Sequence, residues 1–249
     1  IEVNGGRAGD PATWHEEEGQ TIYVGGTINT IIIVNSHLPA HTMTRVVMTA
    51  AEAKTVAIQQ LMAPSRYSTG IATGSGTDQI CVISNMSSPN TLTWAGKHSK
   101  LGELIANCVI DATTEALARQ TNLTPDSQRD MLIRLERFGI DEKKYWETGA
   151  ALEGENKKDL FIKNLRLFSR DPSVVTLTAS LLHIVDEISW GLVPELSGKK
   201  TALGMMKTLP DLIEAKTHPD LNLVLDERRS IIENWIRISS WYVKNGLSR

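Results

Sequence analysis

The sequence predicts an α/β or α+β fold, with a mixed β-sheet packed by helices in the N-terminal half and an all-helical extension after it. Three observations carry that prediction. The run Thr27–Val34 is β-branched at seven of its eight positions, the residue type that fits a pleated surface. Between it and a second apolar run, Ile80–Ile83, lie apolar residues at helical spacing, Met43, Val46, Val47, Ala50, Ala53, Ala57, Ile58 and Leu61. After Thr124 the strand signals stop and only helical patterns remain.

In order, residues 1–20 are loop chemistry, with Gly5-Gly6, Arg7-Ala8-Gly9-Asp10-Pro11 and the acidic run Glu16–Glu18. Thr21–Val24 reads as a short strand broken by Gly25-Gly26. The second half of Thr27–Val34 is apolar on both faces, which predicts a central strand buried on two sides. Asn29 then sits as a buried amide in need of partners. Pro39 leads into a helix over 41–62, and Lys54 falls inside its apolar stripe, where it either snorkels outward or pairs with an acid. Two short strands, Thr69–Ala72 and Ile80–Ile83, flank the turn Thr73-Gly74-Ser75-Gly76-Thr77-Asp78. Leu92–Trp94 reads as another short strand, and a helix follows to about residue 120 with Leu101, Leu104, Ile105, Cys108, Ala112 and Ala116 inward.

The extension begins at Thr124-Pro125, an N-cap with proline at the first helical position. Helices are predicted through Phe138, over 156–169, from Asp171-Pro172 to Gly191, and from about Asp226 to Asn245-Gly246. His183 reads as a core histidine. The domain boundary falls at 123/124, and the helical half reads as a lid or as the surface of a homo-oligomer.

Composition narrows the function. The chain of 249 residues is 41% hydrophobic and 22% charged, with net charge −3. That balance, without a Lys/Arg cluster, argues against a nucleic-acid surface. No apolar run reaches the roughly 20 residues that span a bilayer, so no membrane insertion is expected, and the default location is cytoplasmic. Cys81 and Cys108 read as buried thiols without metal-ligand spacing.

The turn at 73–78 gathers hydroxyls, a carboxylate and two glycines that let a ligand approach the backbone closely. It is neither a Walker A loop nor a nucleotide fingerprint, because the glycine spacing and the lysine are wrong. It is not a nucleophile elbow either, since Gly74-Ser75-Gly76 is too tight. His37 and His41 are four apart, but Pro39 between them spoils a metal pair on one helix face. Lys97 and His98 precede a helix N-terminus, which favours anions and developing oxyanions. Cations are poorly placed there for capping, which points to a chemical purpose.

Three blocks in this order, Gly26-Thr27-Ile28-Asn29, Thr73-Gly74-Ser75-Gly76-Thr77-Asp78 and Ala95-Gly96-Lys97-His98-Ser99-Lys100-Leu101-Gly102-Glu103, resemble the adenosylcobinamide amidohydrolase family. Arg7-Ala8-Gly9-Asp10-Pro11 and Glu52-Ala53-Lys54-Thr55 are similar to further blocks of it. The resemblance covers about residues 7–122 and leaves out the helical half. It implies an upstream stretch that this sequence lacks, so that the chain would be one part of a longer product. It also implies a corrinoid-salvage hydrolase that cleaves the amide between the corrin propionyl side chain and 1-amino-2-propanol, releasing adenosylcobyric acid. The alternatives are a corrinoid-binding protein that cleaves nothing and a phosphate-ligand binder at the Gly96-Lys97 helix start.

Amide hydrolysis needs a base, an oxyanion site and a proton for the leaving amine. The catalytic expectation rests on His98 or Asp78 as base and on Lys97 or Lys54, with the backbone of the Gly74–Thr77 turn, at the oxyanion. Thr77 or Ser75 is the hydroxyl of a covalent route. Asn29, Thr73, Gly74, Ser75, Gly76, Lys97 and Glu103 form the expected substrate-binding set. No metal site and no resident cofactor are expected, because the corrinoid is the substrate. The cobalt-ligating Asp-x-His-x-x-Gly pattern is absent, so no histidine of the chain is expected on cobalt.

Overall fold

The computed structural model describes residues 5–12 and 26–246. The strand read at Thr21–Val24 and the acidic run Glu16–Glu18 lie outside the described residues. The chain divides into two compact units, Ile1–Gln128 and Arg129–Arg249.

In the first unit, β1 (Asn29–Val34) and β2 (Gln79–Ser84) form a two-stranded parallel sheet with Asn29 opposite Gln79 and Val34 opposite Ser84. Parallel neighbours need a crossover, and α1 (Ala40–Gln60) supplies it. The inward residues Ile32, Val34, Ile80 and Val82 pack on Val46, Ala50 and Ala53 of α1 and on Ile105 and Val109 of α2 (Lys100–Thr121). Mixed α/β is therefore the fold of this half, and it is helical from there on.

The strand β1 differs from its prediction. Ile31 and Ile33 are 69% and 74% exposed, so one face is buried and the other is not. An unbroken apolar run cannot by itself distinguish a strand covered on both faces from one whose outer face happens to be β-branched. Gln79 N–H donates to Ile28 O, and Asn85 N–H to Val34 O. Asn29, Ile31 and Ile33 therefore turn their backbone groups to the edge away from β2. Asn29 is exposed rather than a buried amide. Cys81 and Cys108 are exposed free thiols as well; Cys81 alternates outward between Ile80 and Val82. Neither Thr69–Ala72 nor Leu92–Trp94 is a strand: the first holds an isolated bridge from Ile71 to Pro64, and the second is bound to a helix.

α1 ends in a tight turn at Met62 and Ala63. α2 is capped by Ser99, whose hydroxyl accepts from Gly102 N–H at 3.1 Å. A Cβ at Gly102 would overlap the Gly96 carbonyl oxygen, so glycine lets the first turn of α2 sit directly on the Ala95-Gly96 backbone.

The second unit is all helical: α3 (Met131–Leu135), α4 (Glu142–Ala150), α5 (Lys158–Phe168), α6 (Pro172–Ser189), α7 (Glu195–Met206), α8 (Leu209–Leu212), α9 (Leu221–Val224) and α10 (Ile231–Asn245). Trp235, Ile238 and Tyr242 of α10 sit in one core with Tyr145, Phe161, Leu165, Leu181 and Met206 from the surrounding helices. Ser230 and Glu233 close a capping box at its start, which places that start after Asp226.

The N-cap expected at Thr124 is not one. Thr124 and Ser127 exchange hydrogen bonds of 3.0 and 3.1 Å and close a turn. The residues that follow, Asp126–Asp130, offer no apolar face to bury, so the helix waits for Met131 with Asp130 as its cap. His183 is exposed, 3.3 Å from Glu187, not in the core. It lies about 200° around the helix from buried Leu181. No helix among the described residues is long and apolar enough to cross a membrane.

Candidate active site

The turn between α1 and β2 is held from four directions. Asp78 is its centre. Asp78 Oδ1 accepts Ile28 N–H at 3.1 Å and the Ser75 hydroxyl at 2.5 Å; Oδ2 accepts Ser75 N–H at 2.9 Å and is ion-paired with Lys54 Nζ. The two side chains of that pair are 10% and 12% exposed. Two backbone donors, a hydroxyl and an ammonium fix this nearly buried carboxylate in position. Lys54 thus pairs with an acid; it does not snorkel. Gly74 makes the arrangement possible, because a Cβ there would collide with Asp78 Oδ2 and lie 2.8 Å from Lys54 Nζ.

The flanks of the turn are bonded to other segments. Thr77 Oγ1 donates to Gly26 O at 3.0 Å, and Thr27 Oγ1 to Thr77 O at 2.7 Å. Thr73 Oγ1 accepts Ala8 N–H at 2.9 Å, and Thr73 O accepts the Thr55 hydroxyl at 3.0 Å. Gly6 and Gly74 form a bridge. Asp10 closes the loop below, accepting Arg7 N–H at 2.8 Å and the Ser65 hydroxyl at 2.5 Å. Burial opposes its charge, but bonds from Ser65, Ser68 and Arg7 hold its carboxyl below the usual range. The N–H groups of Gly76 and Thr77 make no hydrogen bond among the described residues. They are donors available to an oxyanion beside the Ser75 hydroxyl.

A second group lies on the other flank of α1. The segment 93–97 runs along the helix as a strap that bends at Gly96. His41 Nε2 meets Thr93 O at 3.2 Å, the Arg45 guanidinium lies 5.4 Å from the Trp94 ring centre, Thr49 Oγ1 donates to Ala95 O at 2.8 Å, and Lys97 Nζ is 2.8 Å from Glu52. The Lys97 hydrogen bond holds the Glu52 carboxyl below its usual range. His98 is exposed at the end of the strap, in the turn before Ser99. Glu52 and Lys54 stand at nearly the same level of α1 but point about 200° apart, with Ala51 and Thr55 in the sector between. Asp78 and Lys97 therefore flank the outer face of one helix.

The expected residues divide accordingly. Lys54, Thr73, Gly74, Ser75, Gly76, Thr77 and Asp78 are one bonded unit. Lys97 and His98 belong to the strap. Glu103 pairs with Lys100 at 2.8 Å on the surface of α2. Asn29 lines a separate apolar groove of about 660 Å³ between β1 and α2. The sequence reading gave no role to Arg45, Thr49 or Trp94, and it did not see that Glu52 anchors the strap. The spacing 41, 45, 49, 52 was a signal for one helix face. Among the described residues no group of three His, Cys, Asp or Glu side chains is close enough to hold a metal ion.

The blocks at 7–11, 26–29, 52–55, 73–78 and 95–103 are thus joined by named bonds around α1. A family model described as adenosylcobinamide amidohydrolase matches residues 1–125. The chain belongs to the adenosylcobinamide amidohydrolase family. Every block of the amidohydrolase resemblance falls inside that range, and the helical unit 129–249 falls outside it. An uncharacterized protein of Methanocaldococcus jannaschii is 38% identical over 99 residues, 39% of this chain and 38% of that relative. The chain thus matches well under half the length of this curated relative. No solved structure matches.

Proposed function

We propose that the chain hydrolyses the amide joining the corrin propionyl side chain of adenosylcobinamide to 1-amino-2-propanol, giving adenosylcobyric acid and the free amine. The observation that carries this reading is the Ser75–Asp78–Lys54 chain inside the family-matched segment. A hydroxyl bonded at 2.5 Å to a buried carboxylate, with unpaired N–H groups beside it, has the parts an acyl transfer needs.

Of the two hydroxyls considered, Ser75 suits attack better, because the Thr77 hydroxyl is committed to Gly26 O. Ser75 Oγ attacks the amide carbon while its proton passes to Asp78, and the oxyanion is received by Gly76 and Thr77 N–H. The C–N bond breaks as the amine takes up that proton from Asp78, which leaves the carboxylate free again. Water, deprotonated by the same carboxylate, then cleaves the Ser75 ester to the corrinoid acid and regenerates the hydroxyl. Lys54 orients Asp78, and Lys97, fixed by Glu52, meets the amide-rich rim of the corrinoid. The chemistry draws on no resident cofactor, and the corrinoid is substrate only.

Incubation with adenosylcobinamide and assay for free 1-amino-2-propanol tests the reading. Release by the wild type and its loss in Ser75→Ala is the expected result. Binding without release in the wild type would replace the amidase with a corrinoid-binding protein. Full release by Ser75→Ala would return the attack to a water activated by Asp78 or His98.

A further inference from the structure

Trp94 is 58% exposed, yet it is held in place. Its edge lies over Gly96, where a Cβ would come 2.7 Å from Nε1. One face carries the Arg45 guanidinium, 5.4 Å from the ring centre, and the neighbouring strap residues are tied to α1 through Thr93 O and Ala95 O. Much of the indole surface therefore remains open to solvent at a fixed position, three residues before Lys97 in the segment that ends at His98.

Arg45 is the second observation. Its Nη1 donates only to Met48 Sδ, at 3.7 Å, and its Nε is buried without a partner. It forms no ion pair among the described residues. Glu52, the acid that feels its charge, is bonded to Lys97 instead. A guanidinium on one face of a fixed aromatic ring leaves the other face open to a flat ligand.

We propose that the open side of Trp94, backed by Arg45, is a stacking platform for a flat conjugated ring of the substrate, with Arg45 holding the indole from its other face. This rests on the corrinoid reading above. Adenosylcobinamide offers two such rings, the corrin macrocycle and the adenine of its adenosyl group. Trp94 and Arg45 act in binding and take no part in proton transfer.

The test is calorimetric titration of the full chain with adenosylcobinamide, dicyanocobinamide and adenosine, alongside amine-release kinetics. Trp94→Ala is expected to weaken adenosylcobinamide binding by about tenfold or more, the effect of removing an aromatic from under a stacked base. KM should rise with the dissociation constant while kcat falls less, and Trp94→Phe should recover most of the affinity. Trp94→Leu keeps an apolar cover over Gly96, controls for unfolding and should show the same loss. An equal loss for dicyanocobinamide places the corrin on Trp94; a loss seen only with the adenosyl compound or adenosine places the adenine there. If the wild type binds adenosylcobinamide and Trp94→Ala and Trp94→Leu bind all three ligands within twofold of it, the platform is wrong and the amidase reading stands. If the wild type binds no corrinoid, both are wrong.

Discussion

The helical unit 129–249 encloses α10 so that Trp235, Ile238 and Tyr242 are shut from solvent, whereas the unit 1–128 leaves Ile31 and Ile33 of its sheet exposed. In the helical unit, order comes from apolar burial, which is non-directional and tolerates many sequences. In the other, the turn at 73–78 is held by directional bonds to Asp78 and Lys54. Directional bonding fixes atoms at the spacing chemistry requires, while burial alone fixes only shape. The family match falls on the first unit, and the second is a packed body.

Four changes bear on that comparison. The largest effect is expected from Trp235→Ala in the helical core, which should cost about 3–5 kcal/mol of stability in a denaturant titration; a cost below about 1 kcal/mol would mean the core is not close-packed. Asp78→Asn should lower turnover at least about a hundredfold, roughly 2.7 kcal/mol of barrier, while circular dichroism keeps its helical signal. Near-normal turnover would make the bonded turn merely structural.

The third change concerns Tyr242. Its hydroxyl is buried without a partner, and burial, with Asp211 nearby, pushes it up to about 12. The raised value means that the folded protein keeps this proton when the unfolded chain has lost it. Stability from this group is therefore complete below about pH 10, the unfolded value, and is lost as pH rises through 12. Tyr242→Phe should leave stability at pH 7 unchanged or up to about 1 kcal/mol higher and should flatten the alkaline decline. A loss of more than about 1 kcal/mol at pH 7 would show that the hydroxyl has a bonding role. The smallest effect is expected from Ile31→Thr or Ile33→Thr, within about 0.5 kcal/mol, since neither side chain is buried. A cost near 2 kcal/mol would show that the outer face is covered in solution.

Much of the site was legible. The blocks around Lys54, Asp78 and Lys97 stand out because glycine, hydroxyl and charge cluster in a soluble chain for few reasons other than turns and chemistry. The pairing of Lys54 with Asp78 was not legible, because it joins residues 24 apart across a crossover. The strap was missed for a related reason: Leu92–Trp94 has strand-like residues, but their backbone bonds go to His37 O, His41 Nε2 and the Ser99 hydroxyl rather than to a strand ladder. The exposed cysteines, His183 and Asn29 were misjudged because their apolar neighbours in sequence are not their neighbours in space.

The sequence by itself determined α1, α2, α5, α6 and α10, whose apolar spacing is local, and the apolar runs of β1 and β2, which are local too. It also carried the blocks of the family whose model matches residues 1–125. Only the tertiary structure decided that Ser75, rather than Thr77, meets Asp78, that Lys97 is held by Glu52 on the other flank of α1, and that one face of β1 is open. Those outcomes depend on which distant groups come within hydrogen-bond reach, and no spacing along a chain encodes that distance.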